Sequence, residues 1–182
     1  MQNKYWLIAV TVMIVCMMLF GNRKVRVFSV FRRQLQIFKD ARKEKISVWD
    51  IICFLFFPIC LAVIITIGFE SPVDNNLAGV LTTVFAFVFT VLFGFAAILV
   101  GKMDGSNGIE KRVVGETFVS IVTSTILSLI AAVLSIVIIK IECETAVEVL
   151  SCIIYSISFM VVMLLLMITK RTFVIYCDKE ES

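Results

Sequence analysis

Hydroxyl side chains recur on one face of a long apolar stretch in the second half of the chain. The hydroxyl row consists of Thr117, Ser120, Ser124, Ser128 and Ser135. Such a row can line a water-filled path when subunits assemble around an axis. It can also form a packing seam, in which each hydroxyl bonds to its own helix or across to a neighbour, and we expect the seam. Ser151, Tyr155 and Ser158 share a face of the last apolar stretch and are predicted to meet this row.

Small residues form a second row on the preceding apolar stretch. The small-residue row consists of Gly79, Thr83, Ala86, Thr90, Gly94, Ala97 and Gly101. Small side chains let helix backbones approach closely, and a spacing near 3.5 residues predicts a left-handed crossing. The short connection to the hydroxyl-bearing stretch makes the two helices antiparallel neighbours. We therefore predict that Gly79, Ala86, Gly94 and Gly101 form a helix-packing stripe.

Other kinds of chemistry find little support in the residues. The chain has no histidine, which is the commonest general base and a frequent metal ligand, and most of its six cysteines fall inside apolar stretches. No nucleophile–base pair or metal-ligand set stands out, so we expect no enzyme activity, no metal and no cofactor. Glu116 is the acid near an apolar stretch that invites attention. We expect it in the first turn of its helix, as a partner of the helix dipole.

Five apolar stretches make up most of the chain and must position these rows. They are Tyr5–Phe20, Val48–Phe69, Leu77–Val100, Val113–Ile139 and Val149–Thr169. Hydrophobic residues account for 60% of the sequence, more than a soluble domain normally contains. Roughly 20 apolar residues cross a hydrocarbon core of about 30 Å, and a shorter stretch can span where the bilayer thins. The predicted fold is an all-α, polytopic membrane bundle of about five transmembrane helices in a single domain.

Basic residues are distributed unevenly among the connections between these stretches. If all five cross the membrane, Lys4 and Lys140 lie on one side and the other 15 of the 17 Lys and Arg residues lie on the opposite side. The positive-inside rule then places the amino terminus outside and residues 170–182 in a cytoplasmic tail, in a bacterial inner membrane. We expect the first stretch to be retained as an anchor, because no small-residue cleavage pattern follows Phe20.

A basic linker, residues 22–45, joins the first two stretches. Phe28, Phe31, Leu35 and Phe38 recur in it at the spacing of one helical face. The cations largely off that face include Arg26, Arg32, Arg33, Lys39 and Lys43. We expect an amphipathic helix on the inner membrane surface, with its cations against anionic lipid headgroups or a cytoplasmic protein partner. The alternatives are a segment that only sets topology and, less favoured, a segment that binds nucleic acid.

The first part of the chain has a recognisable build. A short leading span is followed by the basic linker Asn22–Lys45 and the junction Lys45-Ile46-Ser47-Val48-Trp49-Asp50. This build resembles the small multi-pass membrane components that accompany bacterial antiphage defence systems, the Kiwa-type membrane subunit in particular. The resemblance implies membrane sensing and recruitment of a soluble effector.

Two classes of function follow from these observations. The first is a non-enzymatic, homo-oligomeric membrane subunit, channel-like or a scaffold, that senses or perturbs the membrane and couples to a cytoplasmic partner. The alternative is a small transporter or a transporter-accessory subunit. Ion-coupled transporters usually need charged groups within the membrane, and no predicted span carries one near its middle. Voltage-dependent conductance of a stable oligomer would favour the first class, and saturable solute flux would favour the second.

Overall fold

Helices form every regular element in the part of the chain that the structure, a computed structural model, describes: residues 27–37, 52–103 and 108–180. They are α1 (Val27–Ile37), α2 (Ile52–Gly68), α3 (Asn75–Met103), α4 (Gly108–Ile138) and α5 (Glu144–Glu180). The all-α prediction is confirmed for these residues. Long apolar sequences with few interior breakers favour this outcome, because a helix satisfies its own backbone polar groups within the segment.

Among the described residues, three helices are long and apolar enough to cross a membrane: Asn75–Gly101, Val113–Ile138 and Glu144–Phe173. They contain or nearly contain the last three predicted spans, and they support membrane residence. The second predicted span is represented by α2, which is shorter, and its residues 48–51 lie outside the described chain. The first predicted span, 5–20, also lies outside it. The count of five crossings therefore stays a prediction.

Helix α2 is irregular on both sides of Pro58. Its central part, Phe57–Val63, is α-helical, whereas Ile52–Phe56 and Ile64–Gly68 have π-helical hydrogen bonding. Proline lacks a backbone N–H and its ring clashes with the preceding turn, so the helix must widen or bend just before it. The local wide turn ahead of Pro58 follows from this requirement.

Helix α4 occupies the centre of the bundle. It packs against α3, α5 and α1, whereas α2 packs against α5. Half of the apolar window of α4 is buried, compared with 17% for α3 and 22% for α5. The residues that face other helices are therefore concentrated on α4, and the outer faces of α3 and α5 are available to lipid.

Three apolar clusters stack along the bundle and fix the register of the helices. Helix α3 contributes to all of them through residues spaced seven apart: Ala78, Phe85, Leu92 and Leu99. Along this series the α4 partner changes from Ile138 to Leu127 and then to Ile121, so the two helices run antiparallel as predicted. A seven-residue repeat keeps one face of a helix against its neighbour over several turns.

Candidate functional site

The hydroxyl row of α4 lies inside the helix bundle of a single chain. Its five members are each no more than 1% exposed. The hydroxyls of Thr117, Ser120, Ser128 and Ser135 donate hydrogen bonds to the backbone carbonyl four residues earlier, over 2.8–3.1 Å. Back-bonding of this kind satisfies a hydroxyl without water. The burial and the hydrogen bonds favour the packing seam over a water-facing wall.

Ser124 is the member of the row with a different hydrogen-bond status. Its Oγ is buried and has no hydrogen-bond partner among the described residues, although its carbonyl accepts the hydroxyl of Ser128 at 2.8 Å. A buried hydroxyl without a partner is unfavourable, because it has lost water and gained nothing in exchange. This position is consequently the most informative one for testing the seam.

The small-residue row of α3 faces away from the rest of the described chain. All seven of its members are exposed. A Cβ atom added at Gly79, Gly94 or Gly101 would meet nothing within 4 Å. Thr83 and Thr90 satisfy their hydroxyls by bonding to the carbonyls of their own helix. Most of the row is therefore available for a contact outside the protomer, although Ala97 lines a groove shared with Phe118 and Val122 of α4.

The seven-residue apolar series of α3, and not its small-residue row, packs against α4. At 100° per residue, the two sets project on opposite sides of the helix. The sequence signal for the buried face is the seven-residue spacing of Ala78, Phe85, Leu92 and Leu99. This spacing is hard to recognise because most of the residues around it are also apolar. The face of a lipid-exposed helix that packs inward cannot be found from hydrophobicity alone, because both sides are apolar.

Ser151 and Tyr155 hold the connection between α2 and α3 against α5. The backbone N–H of Val73 donates to the Oγ of Ser151 at 2.9 Å, and the Tyr155 hydroxyl donates to the carbonyl of Ser71 at 3.3 Å. The predicted pairing of these two side chains with the hydroxyl row is therefore wrong. An isolated backbone N–H ahead of a helix needs an acceptor when it is buried, and Ser151 supplies one.

Asp74 and Glu70 define the geometry of the same connection. Asp74 caps α3, because its Oδ1 accepts the backbone N–H of Leu77 at 2.8 Å. Glu70 has a φ of 47°, in the left-handed region that residues other than glycine rarely adopt. The chain therefore turns after α2 and enters α3 with one of the free N–H groups of its first turn capped.

Glu116 forms an ion pair with Arg171, which joins α4 to α5. The Nη1 atom of Arg171 lies 3.3 Å from the Oε2 atom of Glu116, and the two side chains are 22% and 31% exposed. Helix α4 begins at Gly108, so Glu116 lies in its third turn and the predicted first-turn position is wrong. Charge partners on neighbouring helices replace the helix dipole as the reason for an acid here.

Helix α1 lies within the predicted basic linker and packs against the bundle. Phe31 packs on the central apolar cluster, which includes Leu127 of α4 and Leu164 of α5. Beside it a small cavity of about 80 Å³ lies among α1, α2, α4 and α5. Gln34 lines this cavity and is 5% exposed, and neither polar atom of its amide has a hydrogen-bond partner in the described chain.

The predicted headgroup or partner contacts are only partly described. Arg32 and Arg33 are exposed on α1. The side chains of Arg26, Lys39 and Lys43 lie outside the described residues. The contact of these cations with lipid or with a protein stays a prediction.

Comparison with known proteins gave no match: no family model, no curated protein and no solved structure matches this chain. Within the described ranges, no group of three or more Cys, Asp and Glu residues is placed to hold a metal ion. The geometry therefore directs attention to helix surfaces: the buried hydroxyl row of α4, the outward small-residue row of α3 and the contact of α1 with the bundle.

Proposed function

We propose that this chain is a non-enzymatic integral membrane subunit that assembles with copies of itself through the small-residue row of α3. The observation that supports this proposal is the exposure of that row along the whole apolar length of the helix, with open space over three of its glycines. The row lies opposite the face that α3 uses within the protomer. It is therefore still available once the single chain has folded.

Self-association through this row has a physical basis in the membrane. Lipid tails are as apolar as leucine side chains, so helices gain little by hiding apolar surface from lipid. They gain instead from close packing, which small residues permit by bringing two backbones together. A continuous row at near-heptad spacing suits a second helix that crosses at a shallow angle.

The packing of α4 favours a scaffold over a channel within this proposal. The hydroxyl row is buried inside one protomer, and most of its hydroxyls are bonded to their own helix. These side chains are consequently buried, and most of them hydrogen-bonded, before any assembly forms. A pore between subunits would therefore have to be lined by other residues. We further propose that the cytoplasmic face recruits a soluble partner through the basic linker, as the resemblance to antiphage defence components implies.

The same proposal includes a location and an orientation. The distribution of Lys and Arg supports a bacterial inner membrane, with the amino terminus outside and the carboxyl terminus in the cytoplasm. Small transporters remain the alternative class. Reconstituted protein that carries saturable solute flux as a monomer would favour that alternative over the scaffold.

The test is to enlarge the small-residue row and measure assembly. Gly79→Leu and Gly94→Leu add side chains whose Cβ atoms would meet nothing within 4 Å in the described chain, so the fold of the single chain should be retained. We expect the dissociation constant of the oligomer in detergent or bilayers to rise about 10- to 100-fold, because overpacking of a close helix contact typically costs about 1–3 kcal/mol. Sedimentation equilibrium or Förster transfer between labelled copies measures this change.

A matched control is available on the same helix. Val84 is 47% exposed and lies off the row, so Val84→Phe adds bulk to a surface that the proposal leaves to lipid. This variant should assemble as the unmodified chain does. If both glycine variants assemble as tightly as the control while their helical content is unchanged, α3 is not the contact between copies and the proposed assembly is wrong.

A further inference from the structure

Helix α1 buries a polar side chain that has no partner. Gln34 is 5% exposed, and its Nε2 and Oε1 atoms have no hydrogen-bond partner among the described residues. Its surroundings are almost entirely apolar, because the residues that line the adjoining cavity include Phe31, Phe54, Leu127, Met160 and Leu164. A primary amide in such a place is costly, because it gives up its hydrogen bonds to water without replacement. The docked position of α1 is therefore weakened by its own sequence.

The height at which α1 docks adds a second unfavourable contribution. The cavity is lined by Thr123 of α4 and Met160 of α5, which lie near the middle of these two helices. At a rise of about 1.5 Å per residue, Thr123 is roughly 15 Å from Val113, half the thickness of a typical hydrocarbon core. Arg32 and Arg33 are exposed on the same short helix. Docking consequently holds two guanidinium groups near the depth at which a charge is least favourable.

At the membrane surface α1 would have neither a buried amide without a partner nor guanidinium groups held deep in the membrane. Phe31 and Leu35 are one turn apart and can insert below the headgroups, as they would in other interfacial amphipathic helices. There the Gln34 amide can bond to water, and Arg32 and Arg33 can meet anionic phosphates. Docking retains an opposing gain, because Phe31 packs on the central apolar cluster. The cavity of about 80 Å³ shows that this packing is incomplete, which limits that gain.

We propose that α1 exchanges between the groove formed by α2, α4 and α5 and the surface of an anionic bilayer. Anionic lipid binds the surface position better than the docked one, so it shifts the population toward the undocked helix. Undocking uncovers an apolar groove that contains Phe54, Leu127 and Leu164. In this way the charge of the membrane surface would determine whether α1 is docked in the groove or released from it. This exchange rests on membrane residence and is independent of the proposed contact between copies through α3.

The exchange can be measured as a distance within the full-length chain. Spin labels at Ser29→Cys of α1 and Val149→Cys of α5 report docking, because both native residues are exposed and neither lines the cavity. Val149 lies at the end of α5 away from the predicted cytoplasmic surface, so release of α1 to that surface lengthens the distance. The six native cysteines are replaced, and labelled chains are diluted with unlabelled ones so that distances between copies do not contribute. Double electron–electron resonance is recorded in nanodiscs of phosphatidylcholine alone and with one third phosphatidylglycerol. We expect a short distance in the neutral lipid and a second, longer population with the anionic lipid.

Two variants separate the causes. Gln34→Leu removes the unpaired amide at similar volume and should raise the ratio of docked to undocked helix about tenfold in either lipid. Arg32→Gln with Arg33→Gln should abolish the dependence on phosphatidylglycerol while α1 stays docked. Identical distance distributions in both lipids, or a loss of the docked population in Gln34→Leu, would overturn the proposal. Neither result would bear on assembly through α3, which the glycine variants test separately.

Discussion

Ser124 and Ser128 lie one turn apart on α4 and differ in hydrogen bonding, which makes them a matched pair for mutation. Both are fully buried, but Ser128 donates to the carbonyl of Ser124 at 2.8 Å and the hydroxyl of Ser124 has no partner among the described residues. Alanine at each position removes the same oxygen atom from the same seam. The difference between the two variants therefore measures the hydrogen-bond status of the hydroxyl.

The expected magnitudes follow from the two environments. Ser124→Ala should raise the free energy of unfolding by about 1 kcal/mol, because it removes a buried group that is desolvated and unpaired. Ser128→Ala should change it by no more than about 0.5 kcal/mol, since back-bonding to a carbonyl already used by the helix contributes little. Leucine at either position should lower the free energy of unfolding by about 1–3 kcal/mol, because a closely packed seam has no room for the added atoms.

Titration of the full-length protein with sodium dodecyl sulfate in mixed micelles measures these changes through the loss of far-ultraviolet circular dichroism. A Ser124→Ala variant that is less stable by 1 kcal/mol or more would refute the reasoning, because the hydroxyl must then have a partner such as water.

Cysteine at 124 or 128 offers a second measurement. Rapid reaction of both with a small water-soluble thiol reagent would identify a water-facing wall and make a channel the leading hypothesis.

Three further predictions concern the rest of the bundle. Ser151→Ala should lower the free energy of unfolding by about 1 kcal/mol in the same titration, because a buried backbone N–H loses its acceptor; unchanged stability would mean that this bond contributes nothing. Glu116→Gln should destabilise the chain by about 1 kcal/mol by leaving Arg171 without its counter-ion. The double variant Glu116→Arg with Arg171→Glu should recover most of this loss, and no recovery would mean that the ion pair is unimportant. Reporter fusions at Asp74 and Asn107 should lie on opposite sides of the membrane, and the same side for both would refute the predicted topology.

The sequence was sufficient to predict the helices and their surroundings. Length and hydropathy predict α3, α4 and α5, since a segment of this kind in lipid has no other way to satisfy its backbone. The antiparallel arrangement of α3 and α4 follows from the short connection between them. The hydroxyl row of α4 was also predictable as a single helical face from its spacing, and the structure buries that face within the protomer. Each of these results depends on local sequence and on the solvent alone.

The tertiary structure alone determined which faces meet and which remain free. The small-residue row of α3 was predicted to be a helix-packing stripe without a stated partner; in the folded chain it points outward, and Phe85 and Leu92 lie in the clusters that α3 shares with α4. Likewise Ser151 bonds to the α2–α3 connection, and Glu116 pairs with a residue distant in sequence. The reason is that hydrophobicity does not distinguish the inside from the outside of a bundle surrounded by lipid. The choice then depends on the shape and hydrogen bonding of neighbouring helices, which come together only in the folded chain.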